Sequence, residues 1–141
     1  RGLGYCKDNG FGLHTLERVT EANQEKFVCV QIEDIAALEA IDEILAVEGV
    51  DAALIGPWDL TASMGIPGQF DHAEYLAARD AVLHACARHD VVPGCHVVEP
   101  DPDAVVQAAA DGYGLIGYSL DITFLTQAAG NGLKTIRRNL P

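Results

Sequence analysis

Basic residues are scarce in this chain: nine Lys and Arg stand against 21 Asp and Glu, a formal net charge of -12. Nucleic acid and anionic membrane surfaces are bound through clustered Lys and Arg, so this balance argues against both as partners. Long apolar runs are absent too. No stretch approaches the ~20 apolar residues of a bilayer-spanning helix, and no basic-then-apolar leader opens the sequence. Cysteine is sparse and scattered. Cys6, Cys29, Cys86 and Cys95 form no C-x-x-C pair and have no histidine at zinc-finger spacing, so they are expected as reduced thiols packed like small apolar groups. Met64 is the sole methionine and the chain opens on Arg1, which is no translation start, so a preceding segment is expected. These features point to a soluble, cytoplasmic protein.

What is present is enough for a core. The 141 residues are 49% apolar, which fits one domain over 1–141. Strand and helix patterns alternate four times, and such alternation implies right-handed crossovers and a parallel α/β sheet. After a glycine-rich loop over 1–12, a short helix is predicted from His14 to Asn23 and a strand from Lys26 to Glu33. A helix then runs from the N-cap Asp34 to Val47 on the stripe Ile35, Leu38, Ile41, Ile44 and Leu45. The second strand is 51–55. Residues 60–64 are expected to make one helical turn, and Asp71 to cap a helix from His72 to His89. Val91 to Val98 is the third strand, with Pro93 and Gly94 marking a bulge or a close backbone approach. Asp101-Pro102-Asp103 is a strong helix start. A fourth strand covers 113–118, and a last helix runs from Ile122 toward Arg137 with a possible interruption at Gly130-Asn131-Gly132.

The chemistry is expected at two apolar runs that each end in a carboxylate. Side chains alternate along a strand, so Gln31 and Glu33 share one face at the tip of the first strand while Val30 and Ile32 take the other. The second run meets Gly56-Pro57, which cannot continue a regular ladder, and then Asp59. With parallel neighbouring strands, both carboxylates face one cleft, the place where α/β proteins bind ligands. Two hard oxygen donors there suit Mg²⁺ or Mn²⁺, which keep positions open for water and substrate. On residue type alone, Glu33 and Asp59 serve equally well as helix N-caps or ion-pair partners.

Val30-Gln31-Ile32-Glu33, the Val-Glu-Gly-Val-Asp run at 47–51, Leu-Ile-Gly-Pro-Trp-Asp-Leu-Thr-Ala-Ser-Met-Gly at 54–65 and Arg1-Gly2-Leu3-Gly4 closely resemble the metal-dependent pyruvate aldolases. These are the hydroxy-oxo-heptanedioate aldolase type of the HpcH/HpaI aldolase and citrate lyase superfamily. The resemblance covers nearly the whole chain. It implies a (β/α)8 TIM barrel of which this chain supplies the last four βα units, since a complete barrel needs ~250 residues. It also implies a class II aldolase that reversibly cleaves 4-hydroxy-2-oxo acids to pyruvate and an aldehyde through a metal-stabilised enolate. In that likeness Glu33 and Asp59 match the metal-ligating carboxylates and Gln31 the glutamine beside the 2-oxo acid. The backbone of Pro57, Trp58 and Asp59 matches the turn that receives the pyruvate carboxylate, and Arg1 matches a segment near the substrate entrance.

The family's general base, a histidine supported by an aspartate, and its enolate-binding arginine lie upstream of Arg1. The chain is therefore expected to be inactive alone and to need the N-terminal half of the barrel. A homo-oligomer, as large as a hexamer, with the last helix against a neighbour is implied as well. Among the histidines, His96 on the third strand is the one placed to face the barrel interior, as a substrate contact or as a packed, hydrogen-bonded core residue. Ser119 and Asp121 read as loop and cap residues. Rival readings are a decarboxylase or citrate-lyase-like enzyme using the same enolate, and a non-catalytic half-barrel that binds metal and 2-oxo acid or serves as an interaction subunit.

Overall fold

The computed structural model describes residues 4–21 and 26–140. A 3₁₀ turn at Lys7–Asn9 leads to α1 (Thr15–Glu21), followed by β1 (Cys29–Ile32), α2 (Ile35–Glu39), α3 (Ile41–Leu45) and β2 (Ala52–Ile55). Then come α4 (Pro57–Ser63), α5 (Ala73–His89), β3 (Val92–Val97), α6 (Pro102–Ala110), β4 (Leu115–Tyr118) and α7 (Asp121–Asn139). All strand pairs are parallel, and the order in the sheet is the order in the chain, β1-β2-β3-β4. The α/β fold with a four-stranded parallel sheet follows from the alternation in the sequence.

Each strand divides its side chains between two faces. Ile32, Ala53 and Ile55 point to a layer of helices and pack with Ile41, Leu45 and Val82 from α3 and α5. On the other face Cys29, Gln31 and Val92 are exposed. The core therefore lies between the sheet and one layer of helices, and the C-terminal tips of the strands border an open surface. Cys86 is a small apolar core residue as expected, whereas Cys6 and Cys29 are exposed free thiols and not packed.

Several expected elements differ in detail. The helix over 34–47 is two short helices, because Ala40 (φ -95°, ψ 16°) leaves helical geometry. The turn there buries Ile41 and Leu45 and leaves Ile35 exposed. The N-cap of α5 is His72, whose Nδ1 accepts from the Glu74 N–H at 3.3 Å, and not Asp71. No bulge forms in β3. Pro93 pairs in register with Ala53 and lies one position before the first β3–β4 pair, Gly94↔Leu115, so its absent N–H breaks no ladder bond. The close approach is present instead: a Cβ on Gly94 would meet Leu54 Cδ1 at 3.1 Å and Leu54 Cα at 3.3 Å. α7 runs unbroken through Gly130-Asn131-Gly132, where the Thr135 hydroxyl donates to the Asn131 carbonyl at 3.0 Å.

Candidate functional site at the strand tips

Gly56 is the point on which the site is built. Its N–H donates to the Ile32 carbonyl at 3.0 Å, so the β1–β2 ladder extends one step beyond the strand and sets Glu33 opposite Gly56. The Gly-Pro pair thus ends the ladder one residue later than the sequence suggests. A Cβ at position 56 would lie 2.9 Å from Gln31 Nε2, 2.9 Å from Glu33 Cβ and 3.1 Å from Glu33 Oε2. Both side chains therefore lean over this glycine from the open face of the sheet. Sequence reasoning used Gly56 only as a breaker; a lone glycine between a buried strand and a carboxylate was the available signal for a close approach.

Directly after it, Pro57 takes the first helical position of α4, where its missing N–H costs nothing, and Asp59 falls in the first turn. The helical turn expected over 60–64 begins earlier, so Asp59 belongs to the helix and not to a free loop. A carboxylate in a first helical turn is favoured by the aligned peptide dipoles. The turn is braced from within: Thr61, fully buried, donates its hydroxyl to the Pro57 carbonyl at 2.7 Å and accepts from the Gly68 N–H at 3.0 Å. Trp58 is 60% exposed and lies edge-on to Phe70 at 5.1 Å. A Cβ on Gly68 would come within 2.8 Å of the indole. Its ring is a wall beside the turn.

Among the described residues neither Glu33 nor Asp59 is engaged by a cation or caps a helix through its side chain; the cap of α2 is Asp34, which accepts from the Ala36 N–H at 2.8 Å. The cap and ion-pair alternatives are therefore not what holds these two groups. Among the described residues no group of three or more His, Cys, Asp or Glu side chains is arranged to hold a metal ion. Two carboxylates with remaining positions open to water and substrate suit Mg²⁺ or Mn²⁺ better than zinc, which takes three or four protein ligands. Arg1, the other residue expected at the substrate entrance, lies outside the described residues.

His96 is on the open face. Its Nε2 faces the Ser119 carbonyl at 3.0 Å, and its ring covers Gly117. Ser119, read as a loop residue, is buried and ties the tips of β3 and β4: its N–H donates to the Val97 carbonyl at 2.7 Å and its hydroxyl to the Val98 carbonyl at 2.9 Å. It does so in the left-handed region, at φ 57°. The thiols at Cys86 and Cys95 are pushed above their usual range by burial. That keeps them protonated and leaves them poor nucleophiles. Burial likewise raises the Tyr75 and Tyr113 hydroxyls. A recess of about 440 Å³ lined by His84, Cys86, Asp90, Pro93 and Asp111 sits at the opposite, N-terminal end of β3. In open α/β sheets ligands bind beyond the carboxyl ends of the strands, which favours the Gly56 site.

The parallel βα sheet of this α/β protein carries Gln31 and Glu33 at the carboxyl end of β1 and Asp59 in the first turn of the helix that follows β2. The chain belongs to the HpcH/HpaI aldolase/citrate lyase family, whose model matches residues 5–128. It is 33% identical over 115 residues to a 2-keto-3-deoxy-L-rhamnonate aldolase of Salmonella paratyphi A, covering 82% of this chain and 42% of that protein. With a hydroxypyruvate/pyruvate aldolase of Paraburkholderia phytofirmans it shares 29% identity over 138 residues, 97% of this chain and 52% of the relative. The crystal structure of an HpcH/HpaI aldolase/citrate lyase family protein from Burkholderia cenocepacia superposes with a TM-score of 0.84 at 32% identity, over 97% of this chain and 52% of that one. The chain thus spans about half the length of the relatives it matches.

Proposed function

We propose that this chain is the C-terminal four βα units of a (β/α)8-barrel aldolase that cleaves 4-hydroxy-2-oxo acids to pyruvate and an aldehyde with the help of a divalent cation. The observation that carries the reading is the meeting of Gln31 and Glu33 over Gly56, with Asp59 in the turn that follows. Both relatives above are named aldolases, and one is named for pyruvate. The donor set fits the cation: two free carboxylates from adjacent strand ends supply hard oxygen ligands while leaving room for a chelating 2-oxo acid. Glu33 and Asp59 would hold Mg²⁺ or Mn²⁺ there, and the bound ion would supply charge stabilisation at the pyruvate keto oxygen as the carbon–carbon bond breaks.

The chain's own residues do the positioning. Gln31 offers an amide donor beside Glu33, at the height where a 2-oxo acid would sit. Backbone N–H groups of the Trp58-Asp59 turn receive the substrate carboxylate, and the Trp58 ring shields that side from water. The proton that leaves the 4-hydroxyl needs a base, which this reading places in the barrel half that the family carries ahead of Arg1, together with the arginine that binds the enolate oxygen. Residues 1–141 alone would then hold metal and 2-oxo acid without turnover.

The test is metal-dependent exchange of pyruvate methyl protons with deuterated water in the active enzyme that carries this chain. Glu33→Ala is expected to abolish exchange. Exchange at the wild-type rate in that variant would overturn the assignment of Glu33.

A further inference from the structure

Glu33 and Asp59 hang from different elements, so their spacing rests on what ties those elements together. On one side of Glu33 the backbone is pinned by the ladder, where the Ile32 carbonyl accepts from the Gly56 N–H at 3.0 Å. On the other side the chain turns into α2, a five-residue helix in which no residue is buried. Ile35, its first residue, is 37% exposed. Packing holds this end only through the half-buried Ala37 and Leu38.

A polar tie supplies what packing does not. The first N–H groups of a helix have no partner within it. Of the two at the start of α2, the Ala36 N–H is taken by the Asp34 side chain at 2.8 Å, and the Ile35 N–H donates to Ser63 Oγ at 3.2 Å. Ser63 is the last residue of α4, and its hydroxyl donates to the Leu60 carbonyl at 2.9 Å. That places the hydroxyl proton inside α4 and leaves the oxygen lone pairs for Ile35. α4 is itself firmly seated, since Leu60 and Thr61 are fully buried. Asp59 lies four residues before Ser63, about one turn along the same face of α4.

We infer that Ser63 is a positioning residue for the divalent cation: by holding the Ile35 N–H to α4, it fixes Glu33 relative to Asp59. The inference rests on the metal assignment made above. Glu33 is then held on both sides, through Ile32 by Gly56 and through Ile35 by Ser63, with only Glu33 and Asp34 between the two anchors. Without the Ser63 oxygen the Ile35 N–H turns to water, the turn over 33–35 gains freedom, and the two carboxylates no longer keep one separation. Ligand groups that must be ordered at the moment of binding hold a cation less tightly than groups already in place. The loss therefore falls on affinity for the ion before it falls on the fold.

The test is calorimetric titration of the whole enzyme that carries this chain with Mn²⁺, in the absence of substrate, with the urea midpoint measured for each variant. Ser63→Ala is expected to weaken Mn²⁺ binding roughly ten-fold, the lower end for groups that orient metal ligands. Ser63→Thr keeps the hydroxyl and is expected to restore most of that affinity. Asp101→Ala removes the cap of α6, away from the site, and is expected to lower the urea midpoint while leaving Mn²⁺ affinity unchanged. Wild-type affinity in Ser63→Ala, a loss that Ser63→Thr shares in full, or an equal loss in Asp101→Ala would overturn the role of Ser63 and leave the metal assignment standing. Glu33→Ala tests that assignment separately: if it binds Mn²⁺ as the wild type does, the metal reading of Glu33 fails and this inference falls with it.

Discussion

A methyl group at position 56 would press within 2.9 Å of both Gln31 Nε2 and Glu33 Cβ. Gly56→Ala must therefore push at least one of them off the site or spread β1 from β2. The expected result is a loss of about 1–3 kcal/mol in stability, the usual cost of overpacking, measured by urea unfolding. Metal-dependent pyruvate exchange should fall by roughly ten-fold or more, since displacing Glu33 by an ångström spoils its position as a ligand. Retained exchange at normal stability would show that the two side chains can step aside freely. The neighbouring Thr61 matters for a different reason: its hydroxyl ties the Pro57 carbonyl to the Gly68 N–H, so it stiffens the turn that carries Asp59 without facing the open side.

Between elements, the tie with a definite pH signature joins α3 to α5. Asp42 accepts from Arg88 at 2.6 Å and from His89 at 2.8 Å. The Arg88 hydrogen bond, and then that of His89, holds the Asp42 carboxyl below the usual carboxylate range. A carboxyl depressed in the folded state adds stability above its unfolded pKa of about 4, and that contribution is lost as pH falls through the folded value. The wild-type urea midpoint is thus expected to drop more steeply below about pH 4 than that of Asp42→Asn, and the two curves should converge in acid. Parallel curves from pH 3 to 7 would rule the tie out as a contributor.

The same elements show what the sequence discloses. The alternation of strands and helices and the Asp101 cap were legible because they rest on local signals. Asp101 does accept from the Asp103 and Ala104 N–H groups, and alternating apolar runs fix a parallel sheet. The site tip was legible in part: alternation put Gln31 and Glu33 on one face, but the role of Gly56 depends on a neighbouring strand, which no local pattern reports. The turn at Ala40 and the regular pairing of Pro93 are likewise decided by packing and register. The continuity of α7 reflects a propensity cost of about 1 kcal/mol per glycine spread over a 19-residue helix.

At the scale of the molecule, β1 and β4 are the two edges of the sheet among the described residues, and the core lies on one of its faces. Unpaired edges are a liability in a protein left alone, and the proposed barrel removes both by adding four further strands. α7 stands apart from the core. It buries no residue and exposes Ile122, Leu125, Leu133 and Ile136, an apolar stripe with Lys134, Arg137 and Arg138 near its end. Truncation before Asp121 is expected to shift the urea midpoint of the sheet and its covering helices by little, measured at dilute protein where association does not contribute. A large drop would mean that α7 is part of the cooperative unit.

Alternation along β1 to β4 also separates two kinds of mutational change. Ile32 and Ile55 face the helices, while Gln31 and Leu54, one residue away, face the open side. Substitutions on the two faces share no side-chain partners, so their effects on stability should add with little coupling. The open face can therefore change its chemistry one position at a time, while the positions that face the helices go on holding the same fold.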